Sequence, residues 1–531
     1  MTAAVTPRPA RRAAGSIVPS IAGFGVLLAA WAVAAGLVMR SETALPAPWS
    51  VARAMVDDLA FYGPHVRQTL GEAAWGYLWG VLAALVVGVV FVLFGVVERV
   101  AVRLVVAVYC LPFVATAPIL QLILGGDRAK IAVAAQAVFF TTVVGVVLGL
   151  RSSEQLLLDA VRVSGGGRLQ QLVRVRVRSA VPSIFASLKV AAPAALLGAV
   201  IGEFIGGQRG IGVAMIASQQ AFDVTRTWGL AILLTALSAS AFVVTGWIGR
   251  RLAPWAATST GVAEPDTTTV SSSVPRRVIS AAGYLALSVG LILAVWWGAI
   301  RVFDLNSFFA KSPGDVWSFL TDPSEADARR EVFRALGTTL RNATLGLAGG
   351  VSGAVVLAVA VAGNRVVQQA VMPVAIGVRS VPLVAMTPLV ALVVGRGLLC
   401  VLLIAGMVTF FPTLVHVVDG LRNAPPLASD AVRSFGGGPV QQLFRVRLPY
   451  ALPALFASIR IAGPQALIGA TLAEWLATGQ GIGSHMMVAL ALSRYTELWA
   501  SIALLTAASL AVYGIASSVE RTVIRRFHGR R

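Results

Sequence analysis

Two stretches of the chain are near copies of each other: DAVRVSGGGRLQQLVRVRV at residues 159–177 and DAVRSFGGGPVQQLFRVRL at residues 430–448. Each residue of the first stretch pairs with the residue 271 positions later. The same spacing continues downstream at glycine, proline and acidic positions: Pro182 and Pro453, Pro193 and Pro464, Glu203 and Glu474, Gly210 and Gly481. Upstream the spacing is 270, as between Thr69 and Thr339. Self-similarity at a fixed spacing indicates a tandem duplication of one large unit, with one inserted residue.

The composition is typical of a protein that lies in a lipid bilayer. Hydrophobic residues make up 57% of the 531 residues, charged residues make up 12%, and the mean hydropathy is +0.81. Stretches of about 20 apolar residues can cross a hydrocarbon core about 30 Å thick. Clear examples lie at 17–39, 73–97, 104–124, 131–150, 227–249, 278–300 and 498–519. Their length and number exclude a set of soluble globular domains.

The net charge of +20 is concentrated between the apolar stretches. Arginines precede the first stretch, flank the middle of the chain near Arg250 and Arg277, and end the chain. The positive-inside rule places such segments in the cytoplasm, so we expect both termini there and a multi-pass protein of the plasma (inner) membrane. The acid-bearing segments 40–67 and 301–334 are then expected as loops on the outside. This distribution argues against a nucleic-acid partner. The first stretch, at about 23 residues, is too long for a signal-peptide core and is expected to be retained.

The repeat and the apolar stretches together predict the domain organisation. We predict an all-α integral membrane protein of about 12 transmembrane helices, arranged as two parallel six-helix units. An even number of spans returns the chain to its starting side, so both units have one orientation. The first unit covers residues 1–253 and the second covers 278–531. Residues 254–277, rich in serine and threonine, are expected to form a flexible cytoplasmic linker.

The repeated polar segment lies between the fourth and fifth spans of each unit, at 152–180 and 423–450. Leu156, Leu157 and Ala160 lie at helical spacing, three glycines follow, and a second apolar helical pattern begins at Leu169. We call this helix, glycine break and second helix the knob. A solvated inside loop is the alternative for one copy alone. Retention in two copies whose spans have diverged favours a docking surface, because lipid-facing helices need only stay apolar.

The knob resembles the EAA loop of binding-protein-dependent ABC importer permeases, which contains the coupling helix. The second copy matches that motif at Asp430, Ala431, Val432, Gly436, Val446, Leu448 and Pro449. The first copy matches it at Asp159, Ala160, Val161, Gly165, Val175 and Val177. Aspartate replaces the usual glutamate in both copies, and Arg178 stands where the motif has proline. This departure puts equal engagement of the two knobs in doubt.

The resemblance covers most of both halves and has functional implications. Stretches 382–388 and 202–212 are similar to permeases of the nitrate, sulfonate and taurine type, which include pyrimidine-precursor transporters. The resemblance implies the permease subunit of an ATP-driven importer, with two copies of an ABC ATP-binding subunit docked under the knobs. It also implies an extracytoplasmic solute-binding protein, and the chain lies in membrane lipid. The solute would be a small organic anion such as a sulfonate, or nitrate, or a pyrimidine precursor.

The chain itself lacks the motif of an ATPase. None of its lysines, Lys130, Lys189 and Lys311, follows a glycine as the phosphate loop G-x-x-x-x-G-K-[ST] requires. Cys110 and Cys400 lie in apolar stretches and indicate neither a disulfide framework nor a metal cluster. We therefore expect no enzymatic activity, no catalytic, metal or cofactor-binding residue in this chain, and ATP bound by the partner subunit.

Single polar residues in the spans are candidates for the translocation pathway or its gate: Glu203, Glu474 and Arg379. An ionisable group at membrane depth is costly and often functional, but a helix-end carboxylate at the membrane interface is the alternative for both glutamates. Arg379 either faces a solute anion or extends to the cytoplasmic surface. His416 is expected to be satisfied by helix packing. Prolines are expected to kink pore-lining helices or simply to adjust packing, at Pro112, Pro118, Pro382 and Pro388.

Two other functions fit the sequence less well. A secondary transporter not coupled to ATP would need coupling-ion ligands in the spans, where acids are nearly absent apart from Glu203 and Glu474. It would also leave the duplicated knob unexplained. A membrane-embedded enzyme would need a cluster of reactive side chains, but the histidines are scattered along the chain at His65, His416, His485 and His528.

Overall fold

The computed structural model of the chain describes residues 25, 28, 29, 31–36, 45–93, 110, 112–254, 289–362 and 383–528. Every regular element in these ranges is a helix. Eight of the described helices, 25 to 40 residues long, are long and apolar enough to cross a membrane, and shorter apolar helices accompany them. The prediction of an all-α membrane protein of about 12 helices is confirmed. The predicted linker lies outside the described residues from position 255 onward.

The first half is built from helices that we name in chain order. They are α1 Pro48–Asp57, α2 Leu59–Leu93, α3 Phe113–Leu124, α4 Gly126–Arg151, α5 Gln155–Val163, α6 Arg168–Gly206, α7 Ile211–Gln220 and α8 Val224–Leu252. The knob consists of α5 and the beginning of α6. Within α6 a π-turn at Leu172–Arg176 links the knob to the fifth span without a break.

The second half repeats this order. Its helices are α9 Val289–Val302, α10 Pro313–Thr321, α11 Ala326–Ala362, α12 Leu383–Val394, α13 Leu398–Arg422, α14 Pro426–Ser434, α15 Pro439–Thr478, α16 Ile482–Ala491 and α17 Tyr495–His528. Helices α2 to α8 correspond in order to α11 to α17. The two copies found in the sequence therefore fold into the same order of helices.

The segments expected as outside loops, 40–67 and 301–334, contain helices instead. They hold α1, α10 and the first turns of α2 and α11. In the second half Ser312 Oγ accepts from the Asp315 amide at 3.3 Å, and Asp315 Oδ2 accepts from the Ser312 amide at 2.7 Å. This reciprocal pair is a capping box, which satisfies the free amides at a helix start. Some of the polar residues in these segments begin helices, so their polarity does not indicate irregular structure.

Glycines allow the spans of each half to pack closely. Gly76, Gly80 and Gly88 on α2 face α4, and a Cβ atom on any of them would overlap atoms of that helix. Gly346 and Gly350 bring α11 against α13 in the same way. In lipid there is little hydrophobic drive between helices, so small residues that allow close van der Waals contact are favoured at the interface. The same packing builds both halves.

Helices α3 and α12 join the two halves, because each packs against its own half and also against the other. α3 of the first half packs against α15 and α16, and its counterpart α12 packs against α6, α7 and α8. Ala115 and Ile119 of α3 thus belong to the core of the second half, and Leu389 of α12 belongs to the core of the first. Among the described residues, the cores nearest the knobs contain side chains of one half only. The halves therefore merge at the end of the molecule remote from the knobs.

Candidate functional site

The glycine break of each knob is a helix C-terminus with a left-handed residue. In the first copy the Gly165 amide donates to Arg162 O at 3.0 Å, and the Gly166 amide donates to Val161 O at 2.8 Å. This pair of bonds is the Schellman motif, which satisfies the last carbonyl groups of α5. Gly165 has φ +78°, a conformation that costs other residues strain. A Cβ atom on Gly166 would overlap Val161. The sequence Gly-Gly is therefore required by the turn.

The second knob has the same turn. Gly436 also has φ +78°, and its amide donates to Arg433 O at 2.9 Å. The Gly437 amide donates to Val432 O at 2.9 Å. The predicted coupling residues Gly165 and Gly436 thus have one geometric role in both copies, which is to reverse the chain after the short helix.

Each knob exposes apolar side chains on the surface that the short helix and the turn present. Leu156 is 78% exposed and its counterpart Leu427 is 82% exposed. Phe435, in the second turn, is 92% exposed. Exposed large apolar residues grouped on one surface indicate an interaction site. The predicted coupling residues share this region. Asp159, Ala160, Asp430 and Ala431 are exposed, and Val161 and Val432 are half-buried.

A proline usually ends or kinks a helix, but Pro449 does not end the second helix of its knob. α15 continues through a π-turn at Leu443–Arg447 and Pro449 follows that turn within the helix. A π-turn is wider than an α-turn, so the missing amide of proline is accommodated there. The first copy has the same π-turn, with exposed Arg178 at the corresponding place. The two knobs therefore share one backbone.

Glu203 is buried inside the first half, where it ties three elements together. Thr69 Oγ1 of α2 donates to Glu203 Oε1 at 2.6 Å, and the Gly212 amide of α7 donates to Glu203 Oε2 at 2.6 Å. The Ile211 amide donates to Thr69 Oγ1 at 2.9 Å. We call this arrangement the carboxylate clamp. Gly210 has φ +135°, and a Cβ atom there would overlap the carboxylate. The clamp fixes the turn between α6 and α7.

The second half contains the same clamp around Glu474. Thr339 Oγ1 donates to Glu474 Oε2 at 2.6 Å, and the Ile482 amide donates to Thr339 Oγ1 at 2.8 Å. Asn342 Nδ2 donates to Glu474 Oε1 at 3.2 Å. Glu203 is 1% exposed and Glu474 is fully buried, so both carboxylates lie inside the protein, near the ends of α6 and α15. Both oxygens of each buried carboxylate accept hydrogen bonds from groups of the same half, as buried polar groups generally require.

The first half holds an ion pair beside its clamp that sequence reasoning missed. Lys130 Nζ lies 2.9 Å from Glu72 Oε1, and both side chains are 3% exposed. Lys130 also lies 2.9 Å from Asp127 Oδ1, and Gln68 Nε2 donates to Glu72 at 2.8 Å. A lysine near the start of an apolar span, in a chain with three lysines, was the available signal.

Two aromatic rings meet between the halves directly after the clamps. Phe204 follows Glu203 and Trp475 follows Glu474. Their ring centroids are 6.2 Å apart and their planes are at 81°, an edge-to-face arrangement. A cavity of ≈ 240 Å³ lies beside Phe204, lined in part by Val213, Ile216 and Gln220. The sequence offered no signal for this contact beyond the equal spacing of the two positions.

The remaining predicted residues have other positions. Arg379 and Pro382 lie outside the described residues. His416 Nδ1 lies 2.7 Å from Pro412 O on its own helix, a local contact that fits the helix-packing interpretation. Pro118 lies within α3 and Pro388 lies within α12, the two helices that pack against both halves.

Comparison with known proteins gives a consistent picture of both halves. The family model described as binding-protein-dependent transport system inner membrane component matches residues 76–257 and again residues 350–529. A probable ABC transporter permease protein of Haemophilus influenzae is 29% identical over 227 residues, covering 43% of this chain and 91% of that protein.

Two further relatives have names that state a solute. The formylaminopyrimidine transport permease protein ThiX of Halalkalibacterium halodurans is 27% identical over 193 residues, covering 36% of this chain and 75% of that protein. A putative aliphatic sulfonates transport permease protein of Bacillus subtilis is 25% identical over 237 residues, covering 43% of this chain and 84% of that protein. Each relative is thus similar to less than half of this chain.

Proposed function

The chain belongs to the family of binding-protein-dependent transport system inner membrane components, and on this basis we propose that its two halves form one translocation pathway. It is a multi-pass permease of the plasma membrane, in an ABC importer that also has an ATP-binding subunit and a substrate-binding protein. The family match gives no support to the alternative of a secondary transporter.

The reciprocal packing of α3 and α12 is the observation that carries the proposal. Each helix completes the core of the opposite half, so the halves are built to associate with each other. An interface to which equivalent elements of both halves contribute in the same way is self-complementary, as in a two-fold dimer. Because two complete units lie on one chain, a second copy of the chain is not needed to complete the pathway.

The two knobs are the proposed docking sites for two ATP-binding subunits. Each presents exposed apolar side chains on a rigid turn of the same geometry. ATP binding and hydrolysis take place on the partner subunits. When these subunits close on each other, the knobs transmit the movement to the fifth span of each half, because α6 and α15 run from knob to span without a break. The coupling residues are those named from the motif: Asp159, Ala160, Val161, Gly165, Asp430, Ala431, Val432, Gly436 and Pro449.

We propose a small organic solute, delivered by an extracytoplasmic binding protein. The named solutes of the relatives are a formylaminopyrimidine and aliphatic sulfonates, which are both small polar molecules. A pyrimidine precursor or an organic sulfonate is therefore the expected cargo, with nitrate as the inorganic alternative.

Reconstitution tests this proposal. The chain is purified with its ATP-binding subunit and binding protein, and the mass of the intact complex gives the stoichiometry. We expect one permease chain with two ATP-binding subunits, and ATP-driven uptake of the solute that the binding protein retains. A complex with two permease chains, or uptake that does not need ATP, would contradict the proposal.

Cysteine labelling tests the proposed orientation, in which the termini and the linker face the cytoplasm. A membrane-impermeant maleimide added to intact cells should label Asp57→Cys and Asp322→Cys but spare Ser272→Cys. The reverse pattern would show that the orientation is inverted.

A further inference from the structure

Phe204 and Trp475 occupy one and the same position in the two copies of the unit. They are 271 residues apart, the spacing that relates the halves from the knob onward. Their rings are in contact across the interface between the halves. In a two-fold arrangement, a residue that contacts its own equivalent lies on the axis that relates the two copies. The pair therefore lies on the internal two-fold axis of the molecule.

Apolar side chains from both halves pack together around the axis at this level. Phe204 and Ile205 of α6 pack in one core with Leu472 and Leu476 of α15, and Leu389 of α12 joins them. This level is the end of α6 and α15 remote from the knobs. Around the knob ends of the same two helices, the described cores remain separate. Within the part of the chain that the structure describes, the contact between halves is thus concentrated at one end of the axis.

The carboxylate clamps hold the backbone from which the two rings project. Glu203 and Glu474 make the described hydrogen bonds within their own halves, Glu203 to α2 and α7 and Glu474 to α11 and α16. These hydrogen bonds therefore do not link the two halves. Their geometry makes them positioning residues for the next residue along the chain.

We propose that Phe204 and Trp475 form the constriction that closes the translocation pathway at the end remote from the knobs. The proposal rests on the proposed function, because only a pathway shared by both halves runs along their common axis. Two large rings in edge-to-face contact exclude water and solute from the axis. The rings contact each other across the interface and are attached to different halves, so a change in the relative position of α6 and α15 separates them. Motion of the knobs, at the other ends of these helices, would drive that separation.

Crosslinking tests the position of the pair. Cys110 and Cys400 are first changed to alanine, which removes both cysteines of the chain. Phe204→Cys and Trp475→Cys are added, together with a protease site in the linker. A short bifunctional thiol reagent should keep the halves together after proteolysis. The matched control is Phe222→Cys with Ser493→Cys, since these residues also correspond in the two halves, have left-handed φ of 57° and 56°, and are exposed.

Crosslinking should also lower ATP hydrolysis stimulated by the binding protein, at least several-fold, because the linked positions 204 and 475 cannot move apart. Cleavage of a reducible reagent should restore the stimulated rate. Crosslinking no better than that of the control pair would place the rings away from the axis. Full crosslinking with unchanged stimulation would show that this contact does not need to open.

Passive leak tests the closure directly and needs neither ATP nor the natural solute. Proteoliposomes loaded with radiolabelled taurine should lose it at least tenfold faster with Phe204→Ala/Trp475→Ala than with the wild-type chain. Trp475→Phe should stay tight because a ring remains on the axis. Trp247→Ala should also stay tight, since Trp247 lies on α8 and is 51% exposed.

The two proposals fail in different ways. A double alanine variant that retains taurine as well as the wild type would overturn the constriction. Absence of ATP-driven uptake by the unmodified complex would overturn the proposed function, and the leak measurement would still report on the constriction.

Discussion

The two halves share the carboxylate clamp but differ in the residues beside it. The first half buries an ion pair, Glu72 with Lys130, 2.9 Å apart. The second half has Asn342 at the position of Glu72 and Val401 at the position of Lys130. The spacing is already 271 at Lys130, because Gly76 meets Ala134 as Gly346 meets Ala405. Asn342 donates to Glu474 at 3.2 Å, and Val401 is buried in the apolar core. The half that lacks the carboxylate also lacks the ammonium group, and the same helices pack around both versions.

This difference shows that the ion pair is one of two solutions to the same packing problem. Burying two charges costs desolvation energy that their attraction offsets only when geometry is good, so replacing a whole pair by neutral residues is often harmless. Removing one partner leaves an uncompensated charge in an apolar site. The pair in the first half should therefore be dispensable as a unit but not in parts.

The largest expected effect is that of breaking this pair. Lys130→Val alone should destabilise the chain by about 3–5 kcal/mol, because Glu72 loses its buried partner. Glu72→Asn with Lys130→Val, which copies the second half, should return stability to within about 1 kcal/mol of wild type. Urea midpoints of the purified chain in detergent measure both. A double variant as unstable as the single one would mean that the halves have different packing requirements.

The clamps should respond alike in the two halves. Thr69→Val and Thr339→Val each remove the hydroxyl that donates to the carboxylate and accepts from a backbone amide. Each should cost about 1–3 kcal/mol, since buried polar groups lose their partner. Thr235→Val, which removes only a bond to Ala231 O on its own helix, is the control. A loss in one half alone would show that the ion pair has changed the role of the clamp.

The knobs should also respond alike, with a smaller effect on stability. Gly165→Ala and Gly436→Ala place a side chain at a left-handed φ, which costs about 1–2 kcal/mol. Stimulated ATP hydrolysis should fall with each while membrane insertion is unchanged. Gly167→Ala and Gly438→Ala are matched controls, because these residues have ordinary φ of −76° and −74° and open space around the added atom. Equal loss from the controls would show that any change of glycine impairs the knob.

The sequence predicted the features that depend on local pattern. The membrane spans were predictable from the length of the apolar stretches, and the repeat from the constant spacing of matching residues. The glycine break was predictable because a run of three glycines favours a turn. Features that depend on how helices face one another were missed. Glu72 and Lys130 are 58 residues apart, and they meet because α2 and α4 pack with the faces that carry these two residues turned toward each other. Phe204 meets Trp475 because the two halves pack together at the ends of α6 and α15 remote from the knobs. Neither arrangement has a signature in the sequence of a single helix.

The smallest expected effect lies at the one place where the knobs differ in the motif, Arg178 against Pro449. The π-turns before them are the same, so the proline does not give its knob a different backbone. What remains is a charge, and an exposed charge contributes at most about 1 kcal/mol to a contact. Pro449→Arg should therefore lower the uptake per ATP hydrolysed slightly more than Arg178→Pro does, because it adds a cation to a knob surface that has apolar Phe435 and Phe444 exposed. Both losses should stay below about fivefold, the factor that 1 kcal/mol allows. A much larger loss from Pro449→Arg would show that the proline fixes a contact with the ATP-binding subunit that the arginine cannot make, and the two knobs would then be unequal in function despite their common backbone.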